Sequence, residues 1–367
     1  MATVIVRKAA YEAATLAPLI AEVLAALDRQ VVRRGCTVLI KPNFLAPAPP
    51  DRAMTTHPLV VRAVVEYVLA QGGRPLIGDS PAMGTFDRVM REGGYTEALK
   101  GLPVDCRPFQ ESALVDVGPP FNKIEIAAEA LSADVVINLP KLKTHAQMLL
   151  TLGVKNMFGC VVGLRKPQWH LRAGSDKGRF AEVLVRIYGA IRPQITLLDG
   201  ILAMEGQGPG KSGAPRHLGV LLASADAVSV DVAVCRMLGL DDEALLTNRL
   251  AARAGLLQGA VVIDGELPRF RDLKLPGMTP LVFGPKPLHR FMRKHLVQRP
   301  VCDPERCRLC GECWRYCPAQ AITREAAALR FDYDRCIRCY CCIEVCPHAA
   351  LAARETRVGA LVRKLLL

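Results

Sequence analysis

Residues 307–347 read CRLCGECWRYCPAQAITREAAALRFDYDRCIRCYCCIEVCP. Their cysteines fall as Cys307-x2-Cys310-x2-Cys313-x3-Cys317-Pro318, and the same spacing returns 29 residues later as Cys336-x2-Cys339-x2-Cys342-x3-Cys346-Pro347. A cubane iron–sulfur cluster takes four thiolates at tetrahedral corners. Three cysteines spaced three apart wrap one cluster from a single tight loop, and the fourth, followed by proline, reaches the other cluster. The spacing therefore predicts that Cys307, Cys310, Cys313 and Cys346 hold one 4Fe-4S cluster, and that Cys336, Cys339, Cys342 and Cys317 hold a second. Paired zinc sites are the competing reading, but zinc takes two separated Cys-x2-Cys pairs and needs no triplet with a trailing Cys-Pro. Cys341 sits beside Cys342 and competes with it as a ligand, although spacing favours Cys342. Cys302 falls outside the pattern and reads as a buried or surface thiol.

Over residues 302–350 this module resembles the bacterial-type two-cluster ferredoxins, with all eight ligand positions and both prolines in place. Two neighbouring clusters relay single electrons, and nothing in the module itself binds an organic substrate. The rings of Trp314, Tyr316 and Tyr340 are expected to shield the clusters from water, which tunes their potential. A purely structural role for the clusters is the alternative.

Working outward, ten of the 14 cysteines lie between Cys302 and Cys346, and the other four (Cys36, Cys106, Cys160, Cys235) are scattered. Usage so lopsided points to metal binding, not to a disulfide scaffold. The 367 residues allow two or three domains, and 51% hydrophobic with 23% charged residues describes a globular chain. No run of 18 apolar residues exists to span a membrane. Met1–Arg7 reads as a first strand, not a signal peptide, so the expected location is the cytosol. The formal charge of +13 would suit nucleic acid, anionic lipid or acidic substrates. Two clusters at about −2 each with their ligands bring it to roughly +9.

Short apolar runs, many of them β-branched, recur at Thr3–Val6, Thr37–Ile40, Pro75–Gly78, Asp134–Leu139, Ile195–Leu198, Leu218–Ala223 and Val261–Asp264. Between them, Leu16–Leu27, Pro58–Ala70, Phe180–Ile191 and Ala227–Leu238 carry apolar residues at three-to-four spacing. This alternation predicts an α/β domain over residues 1–285 with a largely parallel sheet and flanking helices, joined to a small α+β two-cluster ferredoxin-like domain. Residues 101–130 are more irregular and suit an antiparallel addition. Gly284–Pro287 marks a boundary, followed by a basic linker over 286–300 with a short helix at Leu288–Val297, the cysteine module at 301–350, and a helical tail at 351–367. The tail, apolar and basic, is expected to pack on its own domain.

Residues 138–172, NLPKLKTHAQMLLTLGVKNMFGCVVGLRKPQWHLR, hold Lys141, Lys143, Lys155, Arg165, Lys166 and Arg172 and no acid, a charge of +6 in 35 residues. The segment begins where the strand Asp134–Leu139 ends, and open parallel sheets bind ligands beyond the carboxyl ends of their strands. If Lys141–His145 is extended, Lys141, Lys143 and His145 share one face. They would offer fixed positive charge and one group able to titrate near neutral pH. The expectation is an anion pocket for phosphate or carboxylate; the alternative is a solvated basic loop. Other strand ends supply Lys41, Asn43, Asp79 and Asp199, so the expected site is Lys41, Asn43, Asp79, Lys141, Lys143, His145, Lys155, Asn156 and Asp199. Asp226 reads as a helix N-cap, and Trp169-His170 as a packed pair.

These motifs together, Val38–Asn43, Gly78-Asp79-Ser80, Asn138–His145, Gly153–Gly159, Asp199-Gly200 and Ser224-Ala225-Asp226, resemble the family catalogued as domain of unknown function 362, whose members often carry a two-cluster ferredoxin module. The resemblance spans residues 1 to about 285. It implies a cytosolic iron–sulfur protein and supplies no reaction. No G-x-G-x-x-G follows the first strand, and no Walker motif, G-x-S-x-G or H-E-x-x-H exists. Gly206–Gly210 is glycine-rich, which suits a flexible loop as well as a phosphate cradle.

The leading expectation is a redox enzyme that passes electrons from two 4Fe-4S clusters to an anionic substrate or cofactor in the α/β crevice. In it Lys41, Asn43, Lys141, Lys155 and Asn156 bind the anion. His145 gives the proton, assisted by Lys143, while Asp79 and Asp199 orient these groups or help hold a divalent metal. The rivals are a non-catalytic electron carrier that docks a redox partner protein, and a redox-sensing module that binds nucleic acid. The basic segment lacks the aromatic interleaving typical of the last.

Overall fold

The computed structural model describes residues 1–163, 165–257, 259–276, 295–359 and 361. Its strands in the first part of the chain are β1 (Ala2–Lys8), β2 (Thr37–Pro42), β3 (Arg74–Asp79), β4 (Asp105–Pro108), β5 (Ser112–Gly118), β6 (Asn122–Ala127), β7 (Val135–Leu139), β8 (Lys141–His145), β9 (Leu149–Thr151), β10 (Ile195–Gly206), β11 (Gly213–Ser224) and β12 (Val261–Asp264). All but β5 and β6 form one sheet, with the order β12-β1-β11-β10-β7-β2-β3-β4 and with β8 and β9 branching from β10. Every pairing from β10 through β7, β2 and β3 to β4 is parallel, and only β11 and β9 run against their neighbours. The expected largely parallel α/β sheet is what the chain builds. β5 and β6 form the separate antiparallel hairpin foreshadowed by the irregular stretch 101–130.

Alternation within each strand explains why both faces are covered. Val38 and Ile40 join Ile77, Val135 and Ile137 under the helices Ala13–Asp28 and Pro58–Ala70. Leu39, Leu76 and Val136 point the other way, against Phe180, Val183, Leu184 and Ile187 of the helix Lys177–Ile191. Asp226 caps the helix Ala227–Met237 by accepting hydrogen bonds from the backbone N–H groups of Val228 and Ser229. Pro140 interrupts one long strand into β7 and β8, and the twelve-residue β10 pairs with both parts. The carboxyl ends of β2, β3 and β7 therefore open on one side of the sheet, where β8 and β9 fold over.

The C-terminal module is a structural duplication. Strands β13 (Arg299–Cys302) and β16 (Leu351–Arg354) pair at one end, and β14 (Ile322–Glu325) and β15 (Ala328–Phe331) at the other. Positive φ values at Leu309, Gly311 and Gln320 recur at Arg338, Tyr340 and Ala349, each 29 residues on. Asp303 N–H donates to Ala350 O, while in the other half Asp332 N–H donates to Ala321 O. The module's strands thus reach from 299 to 354, wider than the expected 301–350. Leu351–Arg354 is a strand and not the start of a helical tail, because Leu351 and Ala353 alternate into the module's core. The boundary at Gly284–Pro287, most of Leu288–Val297, and residues 360 and 362–367 of the tail lie outside the described residues. No helix among the described residues is long and apolar enough to cross a membrane.

Candidate functional site: a lysine-walled cavity against the cysteine module

At the carboxyl end of the parallel strands lies a cavity of about 450 Å³. The α/β domain contributes Lys41 and Asn43 at the end of β2, Asp79 and Ser80 at the end of β3, and Lys143, Thr151, Lys155, Asn156 and Lys166 from the basic segment. The opposite wall is Tyr316, Cys341, Glu344 and Val345 of the cysteine module. Phe44, Phe86, Phe109 and Phe158 give it aromatic sides, and Gly84, Thr85 and Asp87 are its exposed lip.

The lysines differ in how they are held. Lys41 Nζ lies 2.9 Å from Asp79 Oδ2 and also donates to Pro42 O. Asp79 further accepts from the N–H groups of Phe44 and Ser80. Lys143, fully buried, donates to Asn43 Oδ1 and Met54 O, both at 2.7 Å. Asn43 in turn donates to Asn156 Oδ1, and Asn156 to Asn138 Oδ1, so the amides form a rigid chain behind the lysine. Lys166 donates to Ser80 O. Lys155 makes no hydrogen bond or ion pair among the described residues; its ammonium lies 6.0 Å from the Phe158 ring centroid. Burial pulls Lys143 well below the ordinary lysine value, and the nearby Lys155 charge adds to the effect. Burial likewise lowers Lys155, and it brings Lys166 to about 8. Gly159 is the residue that lets the segment lie on the Lys41–Asp79 pair, since a Cβ there would stand 2.5 Å from Asp79 Oδ1 and Lys41 Nζ.

Of the nine expected site residues, Lys41, Asn43, Asp79, Lys143, Lys155 and Asn156 line the cavity. Lys141, His145 and Asp199 do not, and this corrects the expectation. Same-face residues of a strand lie roughly 6.6 Å apart for each step of two. Lys141, Lys143 and His145 therefore reach three different places. Lys141 Nζ is locked 2.7 Å from Asp199 Oδ2 and donates to the Tyr11 hydroxyl, which itself donates to Asp199 Oδ1. The His57 ring stacks on Tyr11 at 3.6 Å, and the His57 backbone N–H donates to Asp199 Oδ2. His145 Nδ1 accepts from Gln147 and Met148 N–H, while Nε2 faces Glu344 Oε1 at 3.0 Å. Burial, assisted by Lys155, holds His145 at about 4. It is neutral at pH 7 and stands behind Glu344, so it is no proton donor to the cavity. Burial alone would raise the Glu344 carboxyl, but His145, Lys155 and His170 outweigh it and bring Glu344 to about 2. Asp79 and Asp199 are each saturated by a lysine and backbone N–H groups, which removes them as a divalent-metal pair.

The module wall was out of reach of strand-end reasoning. Glu344, Tyr316 and Cys341 carry no signal for an anion pocket, and they arrive only through domain docking. Lys166 was visible as part of the +6 run. Lys141 and Lys143 are fully buried and Lys166 nearly so, which takes three of the run's six charges off the surface.

The cysteines suit iron–sulfur clusters. Cys307, Cys310, Cys313 and Cys346 wall one small cavity with Leu309, Leu329, Trp314 and Leu351. Burial and the neighbouring Cys346, Cys310 and Cys307 push the Cys313 thiol up to about 12. Burial raises Cys342 well above the usual thiol value, and Cys339, Cys336 and Cys317 add to it. Thiols crowded this way in an apolar shell suit iron, which neutralises their charge. Backbone N–H groups of Ala321 and Ala350 donate to the Sγ atoms of Cys317 and Cys346, each at 3.3 Å. Such bonds to sulfur tune a cluster's potential. Cys341 interacts with Cys339 and lines the cavity.

A mostly parallel sheet opening its strand ends onto an iron–sulfur module is an architecture with known relatives. Residues 38–236 match the family model described as domain of unknown function (DUF362), and residues 299–347 match a 4Fe-4S dicluster domain. The chain belongs to the DUF362 family and carries a ferredoxin-type 4Fe-4S domain. A thylakoid-associated protein of Synechocystis sp. is 40% identical over 308 residues, which is 82% of this chain and 96% of that protein. Its name ties it to thylakoids and not to the cytosol. The pyruvate synthase subunit PorD of Thermotoga maritima is 44% identical over 59 residues, 16% of this chain and 60% of that subunit. Among solved structures, the lactate racemase apoprotein of Thermoanaerobacterium thermosaccharolyticum overlaps 61% of this chain and 54% of its own at 10% identity and a TM-score of 0.42, too loose to bear on function.

Proposed function

We propose that this protein delivers electrons from two 4Fe-4S clusters to a small anionic molecule held between its two domains. One observation carries the reading: a single cavity has four lysines on its α/β wall and residues Tyr316, Cys341 and Glu344 of the cysteine module on the other. Cys307, Cys310, Cys313 and Cys346 would hold one cluster, and Cys336, Cys339, Cys342 and Cys317 the second. Clusters of this kind supply single electrons. The chain's own residues do the rest. Lys143 and Lys155 attract the anion, Lys41 and Asp79 brace the floor, and Lys166 holds a proton that it releases near pH 8.

The two thiol sets differ in exposure. Cys310 is exposed, whereas Cys339 and Cys342 are buried and adjoin Cys341 on the cavity wall. Electrons would enter at the Cys310 side, where a partner protein can approach, and leave at the cavity. The likeness to PorD, a subunit by name of a larger enzyme, supports such a partner. It also favours the second reading, a carrier whose large domain only docks that partner.

The test is anaerobic purification with iron and sulfide analysis, reduced-state paramagnetic resonance, and mass spectrometry of released molecules. About eight iron and eight sulfide with coupled signals, plus a released anion that is lost in Lys155→Gln, is the expected result. Intact clusters with no anion in the wild type, and no reoxidation of reduced clusters by cell-extracted anions, would leave the carrier.

A further inference from the structure

The cavity's chemistry says more about its occupant than that it is negative. Lys155 ends in the cavity wall with no hydrogen bond or ion pair among the described residues. Thr151 and His170, each 4% exposed, line the same cavity, and Thr151 Oγ1 and His170 Nδ1 also lack a hydrogen-bond partner. Lys143 spends two of its three N–H groups on Asn43 and Met54, which leaves one. Buried polar groups such as those of Thr151 and His170 are ordinarily satisfied, so their grouping with the half-buried Lys155 at one wall marks a ligand position. The apolar part of the lining is flat: Phe44, Phe109 and Phe158 with Tyr316 and Pro167. Aromatic rings favour a planar partner that stacks or packs edge-on.

We propose that the occupant is a planar, apolar-bodied carboxylate, with its carboxylate on Lys155, Lys143 and Thr151 and its body among the phenylalanine rings. The assignment rests on the function proposed above and narrows it to a ligand class. A carboxylate relieves the mutual repulsion of Lys143 and Lys155, and its two oxygens match the free donors. A bare inorganic anion would leave the aromatic walls uncovered. A neutral planar molecule would leave Glu344, already facing His145, as the module's one carboxylate on the cavity wall opposite Lys143 and Lys155.

Calorimetric titration of the cluster-loaded, oxidised protein with cinnamate, cinnamamide, cyclohexanecarboxylate and inorganic phosphate tests this. Cinnamate is expected to bind at least tenfold more tightly than each of the others. Lys155→Gln and Thr151→Val are each expected to weaken cinnamate by about tenfold or more, with visible cluster absorption unchanged. Arg308→Gln on the module surface should leave it unaltered. Equal binding of cinnamamide would overturn the carboxylate position, and tighter binding of phosphate would overturn the planar body. Failure of every probe to bind protein with intact clusters would overturn both. No electron flows in this titration, so its failure leaves electron delivery standing. Normal cinnamate binding in a protein whose reduced clusters ignore every cavity ligand counts against the earlier reading instead.

Discussion

Replacing Lys166 by Met should change how stability depends on pH, and the structure sets the size. The ammonium is 9% exposed and donates to Ser80 O at 2.7 Å, so burial lowers its pKa from 10.5 to about 8. Below pH 8 both the folded and the unfolded chain hold the proton, and the folded state carries the full cost of burying the charge. Between pH 8 and 10.5 the unfolded chain binds more protons than the folded one, so stability rises with pH. The gap corresponds to about 3 kcal/mol. Lys166→Met keeps most of the stem and removes this titration. The stability of the wild type relative to the variant should therefore grow by about 2–3 kcal/mol between pH 7 and 10, roughly 3–4 °C in melting temperature. Anaerobic thermal melts of both proteins at four pH values measure it, and other lysines that titrate in the range cancel in the difference. A wild-type-minus-variant difference that stays flat, or falls as pH rises, would refute the placement of Lys166 as a buried ammonium.

Asp79→Asn should lower stability by about 3–5 kcal/mol, because it leaves the Lys41 ammonium buried beside a neutral amide; chemical unfolding reads the loss, and a change under 1 kcal/mol would contradict the buried pair. Gly159→Ala forces a Cβ to 2.5 Å from both members of that pair and should cost about 1–3 kcal/mol in the same assay. Cys342→Ser should lose about half the iron while Cys341→Ser keeps it, as read by iron and sulfide analysis; the reverse pattern would make Cys341 the ligand. Gly210→Ala would place a Cβ 2.8 Å from Glu344 O and should loosen the module from the α/β domain, seen as faster amide hydrogen exchange in the helix Cys341–Glu344.

The parts of this molecule that could be read from the chain are those written in local spacing. The cysteine triplets with trailing Cys-Pro carry their ligand geometry within about twelve residues, and the strand–helix alternation needs only period and composition. Lys41, Asn43, Asp79, Lys143, Lys155 and Asn156 could be gathered because strand ends of a parallel sheet share one side. What could not be read is which cation meets which acid. Lys141 and Asp199 are paired across β8 and β10, and Tyr11, 130 positions before Lys141, completes their network. His145 looked like a free titrating group because the residue that neutralises its surroundings, Glu344, lies about two hundred positions away in the other domain. Neither pairing follows from periodicity, and both decide which groups remain for chemistry.

The glycine-rich loop 206–210 shows how these strands of evidence join. Its Gly208 and Gly210 are required by close packing, and its Pro209 lines the cavity. A Cβ at Gly208 would strike the Thr144 backbone, and one at Gly210 would press on Glu344 O. Ser212 then donates to Leu351 O of the module. Small residues here let the helix Cys341–Glu344 lie directly over β8, which sets Glu344 against His145 and Cys341 against the cavity. Without that approach the lysines would face water, where their charges are screened and cheap. With it they face the wall of a cluster-bearing module across a cavity with phenylalanine sides, where an unneutralised ammonium is costly and a bound anion is correspondingly favoured. The docking of the two domains is therefore what encloses a basic strand end, and under the proposed function it would set the anion beside Cys341, which interacts with Cys339.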